Sequence, residues 1–284
     1  MTTTEKINEY FDFIYPLAVR AGEILIEGYE NPKKPIDLKD GEFYNVVTDY
    51  DNQIEQFLMK QILLKYPEHK FICEEDTHIN HNNITKELTN APTWIIDPID
   101  GTSNFIKQIP HVCVSIGLAI NKKIVVGIVN NPAQKKLYTA KLNQGAFCNG
   151  EAIHVSNCQT LNEANVAYEV CLLHAPKIRN KHIKRIYHVG SHARRLLAYS
   201  CVVDSLCMVA AGNLDAFHIE DMFPWDCAAG YLLICEAGGI VTHPYGGLFD
   251  IMKPDLICAG TESLRMEIEQ LIRKADQADN VGGD

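Results

Sequence analysis

Mixed α and β structure is what this sequence predicts, on three observations. Apolar residues recur at helical spacing from Glu5 to Tyr29 (Ile7, Phe11, Ile14, Leu17, Ala18, Ala21, Ile24, Leu25), the pattern of a long amphipathic helix. Alternating apolar stretches at Val112 to Ile120 and Ile124 to Val129 flank Asn121 and Lys122, a β-hairpin signal. Short apolar runs and helical stretches then alternate through the second half of the chain, punctuated by Gly and Asn.

Taken in order, Pro16 predicts a local kink in the first helix. Asn31 to Gly41, with two prolines and several lysines, reads as a loop. A second helix is expected from about Asp49 to Tyr66, with Thr48 as N-cap. Phe71 to Cys73 reads as a short strand, Asn80 to Asn90 as a polar surface excursion, and Trp94, Ile95 and Ile96 as a buried strand ending at Asp97-Pro98. Asn149-Gly150 marks a turn. Strands follow near Val166 to Leu172 and Ala216 to His218, and helices at about Val202 to Ala211 and Cys227 to Glu236. Gly238-Gly239 stops the latter helix, Ile240 to Thr242 and Leu256 to Ala259 read as strands, and Glu262 to Lys274 as a closing helix.

Composition bounds the function. A chain of 284 residues folds as one or two domains, and 46% hydrophobic residues against 22% charged excludes wholesale disorder. A formal charge of -10 argues against a general nucleic-acid binder, which needs clustered Lys and Arg. The same charge repels a phosphate ester unless metal ions or amides reverse the local field. Of ten cysteines, Cys113, Cys201, Cys207, Cys235 and Cys258 sit in apolar runs, and no CxxC pair occurs, so buried thiols in a reducing compartment are expected. Glu5 and Glu9 stand where a signal peptide needs an apolar stretch, and no run reaches transmembrane length. A cytoplasmic protein, with neither membrane nor nucleic acid as partner, is the expectation.

The chemistry concentrates in Trp94-Ile-Ile-Asp-Pro-Ile-Asp-Gly-Thr-Ser-Asn-Phe105. An apolar strand delivers Asp97 into a turn where Pro98 and Gly101 constrain the backbone, so Asp100 can converge on the same point. Converging carboxylates repel one another unless a cation lies between them. Gly101, Thr102 and Ser103 can then open a helix whose amides suit a phosphate. The competing reading is ordinary turn and capping chemistry for an Asp beside Pro and Gly. His78, His81 and His111 have no helical zinc spacing and read as surface or structural residues.

The stretch Asp-Pro-Ile-Asp-Gly-Thr-x-Asn-Phe after Trp-Ile-Ile closely resembles the signature of the inositol monophosphatase family. Trp225-Asp226-x-Ala-Ala-Gly, followed by Glu236-Ala-Gly-Gly, resembles that family's second signature, and Gly145-Ala-Phe-Cys-Asn-Gly150 is a third local match. The resemblance runs from the first helix to about residue 265. It implies a layered αβαβα sandwich of the sugar-phosphatase type, one domain over residues 1–275 with a flexible tail at 276–284, and a homodimer.

It also implies an enzyme that hydrolyses a small phosphate monoester, foremost myo-inositol monophosphate, with two or three Mg2+ ions and inhibition by Li+. Metal ligands carried over are Glu74, Asp97, Asp100, Asp226 and the Ile99 carbonyl. Cys73 replaces the glycine that usually precedes the ligand glutamate. Asp51 and Thr102 would orient and deprotonate the attacking water beside the Glu74 metal, and a metal on Asp97, Asp100 and Asp226 would stabilise the leaving alkoxide. The substrate would meet Asp100, Gly101, Thr102, Ser103, Ser200, Cys201, Val202, Glu220 and Asp226. Two departures bear on substrate choice. Tyr199-Ser-Cys-Val-Val203 stands where relatives carry Gly-Ser/Thr-Ala-Ala, and Ile219 stands where they carry Glu, with Glu220 adjacent as a substitute. A phosphatase for another sugar phosphate or a nucleotide bisphosphate, and a catalytically silent metal-binding relative, are the alternatives.

Overall fold

The computed structural model of the chain describes residues 3–32, 36–38, 46–75 and 83–279. Helix α1 (Thr4–Glu30) is capped by Thr3 and carries Pro16 inside it. Strands β1 (Ile36–Leu38) and β2 (Val46–Thr48) form an antiparallel pair within and just after the stretch expected to be loop. Residues 33–35 and 39–41 of that loop, and 80–82 of the polar excursion, lie outside the described residues, as do His78 and His81. Helix α2 (Asp49–Lys65) starts at Thr48, whose hydroxyl accepts the Tyr50 amide while Asp51 accepts the Thr48 amide in return, a capping box.

Next come β3 (Lys70–Cys73), β4 (Thr93–Asp100), α3 (Thr102–Lys107), β5 (Cys113–Ile120), β6 (Lys123–Asn131), β7 (Lys136–Lys141), β8 (Ala146–Cys148) and β9 (Glu151–Ala152). The chain continues through β10 (Asn165–Tyr168), α4 (Arg179–Gly190), β11 (Arg195–Leu197), α5 (Val202–Ala210), β12 (Ala216–Ile219), α6 (Ala228–Glu236), β13 (Ile240–Thr242), β14 (Leu256–Ala259) and α7 (Glu262–Gln277).

A seven-stranded sheet runs in the order β3-β4-β5-β6-β7-β8-β9, and a five-stranded sheet in the order β11-β10-β12-β14-β13. On β4 and β5 the side chains alternate between two cores, which makes both strands buried throughout. Trp94, Ile96, Val114, Ile116 and Leu118 meet α1 and α2, whereas Ile95, Cys113 and Ala119 share the second core with residues of α5 and α6. The second sheet turns Phe217 and Ile219 into that middle core and Ala216 toward a third core under α7. The layers are therefore α1–α2, sheet, α5–α6, sheet and α4–α7, an αβαβα sandwich.

Helix α4 is absent from the sequence expectation because its buried residues are His182, Arg185, His188 and Val189, so its inward face carries almost no apolar periodicity. Cys235, expected inside, is exposed. Helix α7 runs two residues into the segment expected as tail, because Asp276 binds the buried Arg185 through both carboxylate oxygens, Nε at 2.8 Å and Nη2 at 2.6 Å. Residues 280–284 of that segment lie outside the described residues. No helix among the described residues is long and apolar enough to cross a membrane.

Candidate active site

Strand β4 does not stop at Asp97. It continues to Asp100 through an irregularity: Asp97 stands opposite Ser115 and Asp100 opposite Cys113, so three steps along β4 span two along β5. The extra residue is a β-bulge. Because Ser115 and Cys113 are two apart and face one way, the bulge turns Asp97 and Asp100 to the same side as well. Asp97 is 1% exposed and its Oδ1 has no hydrogen-bond partner among the described residues. Burial, with Glu74, Asp100 and Asp226 repelling its charge, pushes its pKa well above the ordinary carboxylate value.

Asp100 is also pushed up, to about 7, chiefly by burial; the Cys201 thiol and the Val203 amide, both donating to it, oppose the shift. Glu74 lies just past β3, its amide donating to the Ile96 carbonyl at 3.3 Å. The Glu75 amide turns the other way, to Glu55 of α2 at 2.9 Å. Glu74, not Glu75, is the glutamate whose charge acts on Asp97 and Asp100.

Asp226 closes a 3-10 turn, Pro224–Asp226, and accepts the Phe223 amide at 2.8 Å. The helix expected from Cys227 begins at Ala228, two residues after Asp226. That helix packs close against the first sheet through small residues on both sides. A Cβ on Gly117 would come within 2.9 Å of the Ala228 Cβ, and one on Gly127 within 2.9 Å of the Ala229 carbonyl. Ala228 and Ala229 of the second signature thus seat the start of α6 on the first sheet, where the charge of Asp226 acts on Asp97, while Gly230 packs against Leu206 of α5. Glu236 from the end of that motif accepts the amides of Asn143, Gln144 and Gly145, which gives the Gly145 motif a structural role.

Gly101 takes φ +82 and a Cβ there would lie 2.7 Å from the His111 carbonyl, so only glycine fits between the bulge and α3. Thr102 opens α3 and donates its hydroxyl to the Ile99 carbonyl at 3.0 Å. Asp51 is fully buried, its Oδ2 taking both the Thr48 amide at 2.8 Å and the Thr48 hydroxyl at 2.5 Å. A cavity of about 300 Å³ opens beside them, lined by Glu74, Asp100, Gly101, Thr102, Ser103, Glu169, Ser200 and Val202 among others, while Asp51 stays behind the lining.

Two residues expected at the substrate, Cys201 and Glu220, depart from that role, and Val203 at the end of the bulky segment does not reach the cavity either. Cys201 is 1% exposed and lies behind the wall, its thiol donating to Asp100 Oδ2 at 2.9 Å. Val203 is fully buried in the middle core, so only Ser200 and Val202 of that segment reach the cavity. Glu220 faces away. Ile219 points into the middle core, so its neighbour projects from the opposite face of the sheet, where Arg185 Nη1 holds Glu220 at 2.6 Å and Lys181 Nζ at 2.8 Å. One step along a strand reverses the face, so the adjacent acid does not replace the missing one.

Glu169 was missed. The apolar run expected to be strand through Leu172 ends at Tyr168, and an acid interrupting such a run was the available signal. Glu169 is 1% exposed, accepts the Ser200 amide at 3.2 Å, and is pushed above the usual glutamate range by burial. His111 is structural, as expected, its Nδ1 lying 2.7 Å from the buried Asp204.

Comparison with known proteins adds an independent line. The model of the "Inositol monophosphatase family" matches residues 6–279. Inositol monophosphatase 2 of Mus musculus is 35% identical over 280 residues, 98% of this chain and 93% of the relative. Inositol monophosphatase 2 of Solanum lycopersicum is 42% identical over 247 residues, 86% of this chain and 91% of the relative. The crystal structure of the extragenic suppressor protein SuhB from Bartonella henselae superposes with a TM-score of 0.83 at 30% identity, covering 94% of this chain and 99% of that one.

Proposed function

The chain belongs to the inositol monophosphatase family and is a phosphoric monoester hydrolase, and from that premise we propose that it hydrolyses myo-inositol monophosphate to inositol and inorganic phosphate with Mg2+ as cofactor. The observation that carries the reading is Asp97 Oδ1, buried without a hydrogen-bond partner among the described residues, amid the charges of Glu74, Asp100 and Asp226. Such a cluster needs a cation to ionise fully.

The donors fit Mg2+. Four carboxylates and the Ile99 carbonyl are hard oxygens, the ligand type this ion prefers over imidazole or thiolate. Glu74, Asp97 and the Ile99 carbonyl would hold metal on one side, and Asp97, Asp100 and Asp226 on the other, for two or three ions in all. Bound there, Mg2+ supplies a nucleophilic water at neutral pH, charge for the phosphate and stabilisation of the leaving alkoxide. Thr102, already aimed at the Ile99 carbonyl, orients the water, and Asp51 takes its proton through this hydroxyl. Thr102 and Ser103 line the cavity at the start of α3, where their amides would receive the phosphate, and Glu169, Ser200 and Val202 line it where the sugar would lie. Inhibition by Li+, a homodimer and a cytoplasmic location belong to the same proposal.

A second reading, hydrolysis of another sugar phosphate or a nucleotide bisphosphate, is favoured by two features: Val202 lines the cavity where the resemblance implies alanine, and Ile219, where it implies glutamate, turns into the middle core. Phosphate release from a panel of monoesters and bisphosphates, with Mg2+ and after chelation, tests both. Preference for inositol monophosphate and loss of turnover on chelation are expected. Preference for another ester would replace the substrate, and turnover without divalent ions would remove the cofactor.

A further inference from the structure

Behind the wall of the cavity, two thiols meet an acid. Cys201 Sγ lies 3.9 Å from Cys113 Sγ and 2.9 Å from Asp100 Oδ2, and one ligand atom from each of the three lies within 4.8 Å of the others. Among the described residues this is the one group of three His, Cys, Asp or Glu side chains so placed. The bulge in β4 creates it by setting Asp100 directly opposite Cys113, while Cys201 caps the start of α5 beside them.

The sulfur–sulfur distance, a thiol–thiol contact in the metal-free chain, already matches that of two thiolates on a shared metal, and the Cys201–Asp100 hydrogen bond would open as the ion enters. Two sulfurs at about 2.3 Å from a tetrahedral Zn2+ stand about 3.8 Å apart. A disulfide would instead require them to close to about 2.0 Å. We propose that Cys113, Cys201 and Asp100 form a binding site for a soft divalent cation such as Zn2+ or Cd2+, with water entering from the cavity as fourth ligand. Each thiol gives its proton to solvent as its sulfur takes the metal, so two thiolates and one carboxylate surround a doubly charged ion.

The occupied site removes Asp100 from the oxygen-lined cluster, so the soft metal acts as an inhibitor that a thiol-competing chelator reverses. This inhibitory consequence rests on the Mg2+-phosphatase reading; the binding site itself does not.

The test uses the full chain, reduced, stripped with chelator and returned to saturating Mg2+, then titrated with Cd2+ while the sulfur-to-metal charge-transfer absorption is followed. A band saturating at a single ion per chain is expected, lost in both Cys113→Ser and Cys201→Ser and retained when the exposed Cys171 and Cys235 are changed to serine. X-ray absorption at the zinc edge of the native Zn2+ complex, which needs no variant to fold, should report two sulfur neighbours. A band that survives either buried substitution overturns the site, as does an edge spectrum of oxygen and nitrogen neighbours alone. So does a Cys113–Cys201 disulfide found by mass analysis of the untreated protein. None of these readouts uses a substrate, so failure of the phosphatase reading and failure of the metal site are told apart.

Discussion

The Val203 amide donates to Asp100 Oδ2 at 2.7 Å, fastening the acidic bulge of β4 to the first turn of α5. Asp100 thus serves the fold through one oxygen while facing the cavity, whereas Asp97 Oδ1 meets no hydrogen-bond partner among the described residues. Asp97→Asn should accordingly raise the metal-free stability, on the order of 1 kcal/mol, by removing a buried charge that its neighbours repel. It should also abolish the stabilisation by Mg2+ and lower turnover by orders of magnitude. Asp100→Asn should lose turnover similarly without the gain in stability. Thermal melts with Mg2+ and with chelator, beside steady-state kinetics, check both; near-normal turnover in the two variants would remove them from the metal site.

Thr102→Ala should lower kcat more than it raises KM, because a hydroxyl that orients water acts in the transition state. Asp51→Asn should behave likewise but also weaken the start of α2, since its carboxylate holds both the amide and hydroxyl of Thr48. A loss confined to KM would place either residue in substrate positioning.

Ser200 holds φ +54, a conformation that favours glycine, so Ser200→Gly should be neutral or stabilising by up to about 1 kcal/mol. Val202→Ala should widen the wall and improve inositol monophosphate turnover relative to smaller esters. Val203→Ala should instead cost about 1–3 kcal/mol through a core cavity, with substrate preference unchanged. Relative rates across the ester panel and urea melts separate the three.

Glu220→Gln should destabilise by about 3 kcal/mol, because Arg185, 0% exposed, keeps only Asp276 as its charge partner. The KM should hardly move. A large KM change at normal stability would return Glu220 to the substrate pocket.

Two buried histidines give the fold an acid limit. Trp94 Nε1 donates to His69 Nδ1 at 3.0 Å, and burial lowers the His69 pKa to about 4; burial likewise lowers that of His218, beside Arg185, to about 3. Both folded values lie below the unfolded value near 6.5, so the unfolded chain binds more protons between them. Stability is therefore full above about pH 6.5 and falls as pH drops, by about 1 kcal/mol per histidine between pH 7 and pH 5.5. Urea melts across that range should show this slope, and His69→Gln should remove its share. A flat profile would mean that these rings are protonated in the fold.

Much of this protein was legible in its sequence. Helices α1, α2 and α7 announce themselves because one apolar stripe faces the core, and the hairpin β5–β6 because its turn residues force a reversal. The acids Glu74, Asp97, Asp100 and Asp226 stood out through the resemblance of their motifs to the family's signatures, since turn and capping chemistry alone would also account for an Asp beside Pro and Gly. What the sequence could not decide were the directions of single side chains. Whether Asp97 and Asp100 share a face depends on a bulge, which shows only against the neighbouring strand. Glu220 follows Ile219, the last residue of β12, by one step, yet one goes to Arg185 and the other to the middle core. Helix α4 was hidden because its inward face is built from His and Arg, whose burial depends on partners more than thirty residues away, Glu220 and Asp276 among them. Cys113 and Cys201 stand 88 residues apart and met only when two sheets closed on the helices between them. Local chemistry is written in the order of residues, but the sharing of a site is decided by strand register and packing, which join parts of the chain that no local pattern connects.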